Sequence, residues 1–90
     1  MKRITLAFIE TQIDLLNIKT NNKSEPWTRS DNRSVANVGN YHLSEAYGGC
    51  SLVQVTNTGG ACSDVFNSGH VSKREISDLI SAYVKGIESN

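Results

Sequence analysis

The stretch from residue 72 to 88 narrows the choice of fold more than any other. Ser72-Lys73-Arg74-Glu75 is an S-x-x-E capping box, in which a hydroxyl and a carboxylate satisfy free backbone N–H groups at a helix start. Ile76, Leu79, Ile80, Tyr83, Val84 and Ile87 follow at helical spacing as one apolar stripe, and Lys85 suits the negative end of the helix dipole. Such a stripe needs a flat apolar partner. Residues 38–67 read as one, a three-stranded antiparallel meander with strands at 41–47, 52–55 and 61–66. Tyr47-Gly48-Gly49-Cys50 supplies the first turn, its Gly-Gly pair meeting the positive φ of a two-residue hairpin loop, and Asn57-Thr58-Gly59-Gly60 the second. This register sets Val55 opposite Cys62. Cys50 then lies about five residues away at about 3.4 Å each, outside disulfide reach.

Residues 3–20 read as a second helix. Leu6, Ile9, Ile13 and Leu16 make one face, Ile4, Phe8, Leu15 and Ile18 another, and Glu10, Asp14 and Asn17 are left to water. One small sheet covers only one of two apolar stripes. The other predicts a homo-oligomer, or else the following loop folds back over it. That loop, 20–36, is polar and broken. Pro26 fixes its own φ and holds Glu25 extended, so the helix has ended by then. Trp27 plugs the core or offers a stacking platform, and the spacing of Trp27, Arg29 and Arg33 suits stacking with anion contact.

The order helix, three strands, helix makes a single α+β domain of 90 residues, with the C-terminal amphipathic helix packed on the sheet. A chain this short buries only about 60% of its unfolded surface, which favours assembly. Nine basic residues balance nine acidic ones, so no net field draws the chain to nucleic acid or to anionic membranes. No apolar run reaches the roughly 18 residues of a membrane span. The start, with Lys2 and Arg3, meets Glu10, Gln12 and Asp14 too soon for a signal peptide. A soluble protein of the cytoplasm is the expectation. There the two cysteines read as small buried thiols, because they fit no zinc spacing and a reducing compartment opposes a disulfide.

Catalytic patterns come out poorly. His42 and His70 are the only imidazoles, and local spacing gives neither a nucleophile nor a carboxylate partner. Either cysteine with His70 makes a Cys/His pair only by coincidence, so no cofactor, no metal and no catalysis are expected. Anion binding comes out better. Gly69-His70-Val71-Ser72-Lys73-Arg74 joins a glycine to a helix N-terminus whose N–H groups and dipole attract negative charge. Lys73 and Arg74 stand where a helix itself prefers acidic residues, either as a functional mismatch or as cations pointing into water, Arg74 toward Asp78. Tyr41, His42 and Tyr47 are candidates for stacking on a base and reading its edges, Tyr41 also for filling the core. Asn57, Gly59 and Gly60 admit a ligand close to backbone, or simply make a turn.

With these residues in view, the chain resembles a family of small proteins encoded by bacteriophages and prophages. The matching stretches are Glu25-Pro26-Trp27, Asn37-Val38-Gly39-Asn40-Tyr41-His42-Leu43, Ala46-Tyr47-Gly48-Gly49, Asn57-Thr58-Gly59-Gly60 and residues 69–75. Cys50 and Cys62 depart from the family pattern. The resemblance implies a phage origin and an accessory role in the host cytoplasm, and no particular activity. In outline the parts are similar to oligomeric sponges that sequester signalling nucleotides of host defence. The expected ligand is therefore a small phosphorylated nucleotide, held by Trp27, Arg29, Tyr41, His42, Tyr47, Asn57, Gly59, Gly60, His70, Ser72, Lys73 and Arg74. An inhibitor that blocks a host protein with its surface is the alternative.

Overall fold

Two helices bury their inner faces against one side of a small antiparallel sheet, and a separate hairpin stands beside it. The computed structural model describes residues 3–89, so Lys2 of the basic start lies outside the described residues. Along the chain the elements are α1 (Leu6–Lys19), β1 (Trp27–Ser30), β2 (Arg33–Ala36), β3 (Tyr41–Ala46), β4 (Gly49–Val55), β5 (Cys62–Asp64) and α2 (Lys73–Glu88). The class is α+β, as expected. The described strands number five in two sheets, β1-β2 and β3-β4-β5, where the sequence led us to expect three in one.

The additional sheet comes from the stretch read as a broken loop. β1 and β2 pair antiparallel from Trp27↔Ala36 to Ser30↔Arg33, joined by Asp31 and Asn32 at φ 47° and 64°. Both residues occupy the left-handed region, which gives the two-residue loop whose twist matches a hairpin. Asp and Asn visit that region more readily than other non-glycine residues. The pairing has no alternating apolar pattern behind it, since every residue of β1 and the first three of β2 are exposed.

The β3–β4 turn also differs. Ala46 pairs with Gly49, so the loop is Tyr47-Gly48, at φ 55° and 74°, and not Gly48-Gly49. Gly49 serves another purpose. A Cβ there would lie 3.0 Å from the His70 carbonyl carbon and the Val71 oxygen. Its bareness lets residues 70–71 approach β4, where Cys50 and Val71 exchange backbone bonds of 2.7 and 2.8 Å. Farther along that same edge of β4, Val55 pairs with Cys62 as the sequence register anticipated. Both cysteines are free. Cys50 is buried, but Cys62 is exposed on the edge strand, against the expectation of two buried thiols.

Strand alternation sorts the sheet into two faces. Tyr41, Cys50 and Leu52 join Ile9, Ile13 and Leu16 of α1 and Ile76, Ile80 and Val84 of α2 in the core. His42, Val53, Val55 and Cys62 lie on the other face by the register. The helices are clasped together by Gln12, whose amide donates to Ser81 Oγ at 2.8 Å and accepts from Ser77 Oγ at 2.9 Å. Asn17, expected on the wet side of α1, is 1% exposed. Its amide bonds to both backbone groups of Tyr41, at 3.0 and 2.8 Å, and so occupies the outer edge of β3 as a neighbouring strand would. Of the second stripe of α1, Ile4 is half-buried against the core, whereas Phe8, Leu15 and Ile18 are 50%, 44% and 72% exposed. No helix among the described residues is long and apolar enough to cross a membrane.

Candidate functional site

The residues expected to hold a ligand do not converge. They gather at opposite ends of β4, which at about 3.3 Å per residue lie roughly 20 Å apart.

At the end where β3 turns into β4, Tyr47 projects fully into solvent, 100% exposed. Its ring stands edge-on to His70, centroids 6.0 Å apart, and His70 Nε2 lies 3.2 Å from Ser44 Oγ. Residues 70–71 are tied to β4, so His70 leads straight into the start of α2. There Ser72 Oγ accepts from the Glu75 N–H at 3.2 Å and faces the Glu75 carboxylate at 3.4 Å. Lys73 and Arg74 follow in the first helical turn, exposed. Tyr47 and His70 thus stand together with Ser44, which the sequence reading missed, and Ser72, Lys73 and Arg74 follow His70 along the chain at the same end of β4.

At the other end Asn57 is spent on the turn itself. Its Oδ1 accepts from the N–H groups of Gly59 at 2.9 Å and Ala61 at 3.1 Å, the bonds of an Asx-type turn. Gly60, at φ 96°, lies under the Trp27 ring, where a Cβ would come within 2.6 Å. Trp27 therefore packs β1 onto the β4–β5 turn while staying 45% exposed and outside the core. Arg29 is exposed on β1 opposite Ser34, away from both α2 and Tyr47. Tyr41 is a core residue, 5% exposed, and its hydroxyl is 3.0 Å from that of Tyr83. Burial and that neighbouring phenol raise its pKa. It offers no stacking face.

His42 belongs to neither end. It is partly buried on the helix-free face, and desolvation lowers its pKa from the ordinary imidazole value. Nδ1 lies 3.2 Å from Asn40 Oδ1, and Nε2 lies 4.0 Å from Cys62 Sγ. Neither Asn40 nor Cys62 was among the expected ligand residues, and the sequence reading weighed a cysteine only with His70. The alternation that puts residues 40 and 42 on one face was legible, and so was the register that brings Cys62 across β4.

The clefts do not favour a phosphate. One of about 290 Å³ lies between α1 and the β3 edge and is lined by the carboxylates of Glu10, Asp14 and Glu45 together with Tyr41 and His42. Another, of about 200 Å³, runs between the helices and is lined by Leu15 and Val84 with Lys85 and Glu88. No described group of His, Cys, Asp and Glu side chains is placed to hold a metal ion. Every buried polar side chain among the described residues is already hydrogen-bonded, so the interior holds no unpaired group for a ligand to satisfy. Compared with known protein families, with curated proteins and with solved structures, the chain matches none.

Proposed function

We propose that this is a phage-encoded accessory protein that binds a phosphorylated nucleotide on the surface formed by Tyr47, His70 and the first turn of α2, and holds it without turning it over. The observation that carries this reading is the fully exposed Tyr47 ring beside His70 at the start of a capped helix. An aromatic face stacks on a base, and N–H groups, dipole and two cations attract a phosphate. The acidic cleft beside α1 repels the same ligand, so the reading moves the site to one end of the sheet and drops Asn57, Tyr41 and Trp27 from it. Sequestration of a signalling nucleotide in the host cytoplasm is the biological role that fits a small binding protein of this kind.

Isothermal titration with ADP-ribose, a cyclic dinucleotide and ATP tests the reading. We expect saturable binding to at least one, weakened tenfold or more by Tyr47→Ala and by Lys73→Ala and left unchanged by Trp27→Ala. Absence of binding to all three, or equal affinity in the Tyr47 variant, removes the proposed surface. The bare apolar stripe of α1 favours a second reading, inhibition of a host protein, if the stripe does not join copies of this chain.

A further inference from the structure

Asn40, His42 and Cys62 stand in sequence across the helix-free face of the sheet, with Ser44 of the surface proposed for the nucleotide next along β3 from His42. Asn40 is completely buried, and its Nδ2 donates to the Lys23 carbonyl at 2.7 Å. That bond settles which way the amide points, so Oδ1 is the atom turned to His42 Nδ1 at 3.2 Å. An amide oxygen only accepts, so Nδ1 carries the hydrogen and Nε2 keeps its lone pair. Nε2 is the nitrogen that faces Cys62 Sγ, at 4.0 Å. We propose that Cys62, His42 and Asn40 form a nucleophile–base–orienting relay that accepts an acyl group from an activated ester or thioester.

The arrangement has the parts that thiol acyl transfer requires. At rest the thiol donates to the Gly60 carbonyl at 3.3 Å. Rotation about the Cβ–Sγ bond turns the hydrogen to Nε2, a contact of the kind that tightens when substrate is present. In the step itself the Sγ–H proton passes to Nε2 as sulfur attacks the carbonyl carbon. The C=O electron pair moves onto oxygen. When the tetrahedral adduct collapses, the bond to the leaving alkoxide or thiolate breaks and that group takes the proton from Nε2. The products are S-acyl Cys62, an alcohol or thiol, and neutral His42.

The sheet also supplies a donor for the oxyanion. Val55, the cross-strand partner of Cys62, spends its N–H on the Asn40 carbonyl and its carbonyl on the Gly39 N–H, each at 2.9 Å. Both bonds point to the β3 side, so the Cys62 N–H turns to the outer edge of β5. Desolvation keeps His42 neutral below the ordinary imidazole value, as a base for this step must be. Asp64 and His70 share this face, the Asp64 carboxylate occupied by the Phe66 and Gly69 N–H groups and His70 Nε2 lying 3.2 Å from Ser44 Oγ, while Glu10, Asp14 and Glu45 line a cleft that also reaches His42. Cys50 is buried on the opposite face with its pKa raised by burial, and serves as the internal control.

The test treats the full chain with p-nitrophenyl acetate, reads acetylation by mass spectrometry, and follows iodoacetamide alkylation from pH 5 to 9. We expect one acetyl group per chain, on Cys62 and not Cys50. Alkylation of Cys62 should change less than about threefold between pH 8 and pH 6.5, whereas a simple thiol slows about tenfold per pH unit below its pKa of about 8.5. His42→Gln should slow Cys62 more than tenfold at pH 7 and restore the simple-thiol profile. Asn40→Ala should move the acidic limb of the profile, a readout that a purely structural role leaves in place. A wild-type profile like that of a simple thiol, or acetylation divided between the two cysteines, overturns the relay. Neither outcome touches the Tyr47 surface, whose variants are different residues.

Discussion

Asn17 shows how much one side chain decides in a chain this short. Its carboxamide offers one donor and one acceptor at the spacing of a backbone pair, and Tyr41 takes both. Removing it strands a buried N–H and a buried carbonyl at the edge of β3, each worth roughly 1–3 kcal/mol when unpaired. Asn17→Ala should therefore lower the unfolding free energy by about 2 kcal/mol or more in urea denaturation, while the exposed neighbour Asp14→Ala changes it little. His42 gives a pH signature. Its folded pKa lies below the unfolded value of about 6.5, so the unfolded chain binds the proton first. The stability associated with neutral His42 is present above pH 6.5 and is lost as pH falls through the lowered folded value. Denaturation midpoints measured from pH 8 to 5 should fall in that window in the native chain and less in His42→Gln.

Among the elements, α2 followed its sequence most closely. Its cap, its stripe and its start agree with local rules that need no distant contact. Gly49 is different, because its role depends on residues twenty positions away. Composition alone assigns a Gly-Gly pair to a turn, yet only Gly48 sits in the loop. Gly49→Ala should press a Cβ into the backbone of His70 and Val71 and cost about 1–3 kcal/mol, the usual range for overpacking. Because the same contact leads into α2, the variant should also shift the NMR resonances of His70 and Ser72. The β1–β2 hairpin was illegible for a related reason. With nearly all its side chains in water it leaves no period-2 pattern, and its Asp-Asn loop lacks the glycine that usually marks such a turn.

At the scale of the whole molecule the unsettled surface is the outer face of α1. Phe8, Thr11, Leu15 and Ile18 recur at spacings of 3, 4 and 3, the seam of a coiled coil. Asp14 and Lys19 flank it on opposite sides, five residues apart, so parallel pairing of two copies sets Asp14 of one against Lys19 of the other. Lys19 already lies 3.4 Å from Glu88 within the protomer, at the same end of the helical layer. We expect native mass spectrometry to report a multimer that Ile18→Glu and Leu15→Glu each convert to monomers with the fold retained; an unchanged mass in both would assign the stripe to another purpose. The sequence alone settled what local rules decide: two helices with their core faces, a glycine-punctuated sheet between them, and the Val55–Cys62 register. It did so because helical period, capping and turn chemistry act within a few residues of one another. Tertiary structure alone decided that the ligand candidates split between two ends of the sheet, that Asn17 closes a strand edge, and that His42 turns Nε2 toward Cys62 Sγ. Those outcomes depend on contacts between residues 20 or more apart, whose distance is set by the packing of whole elements.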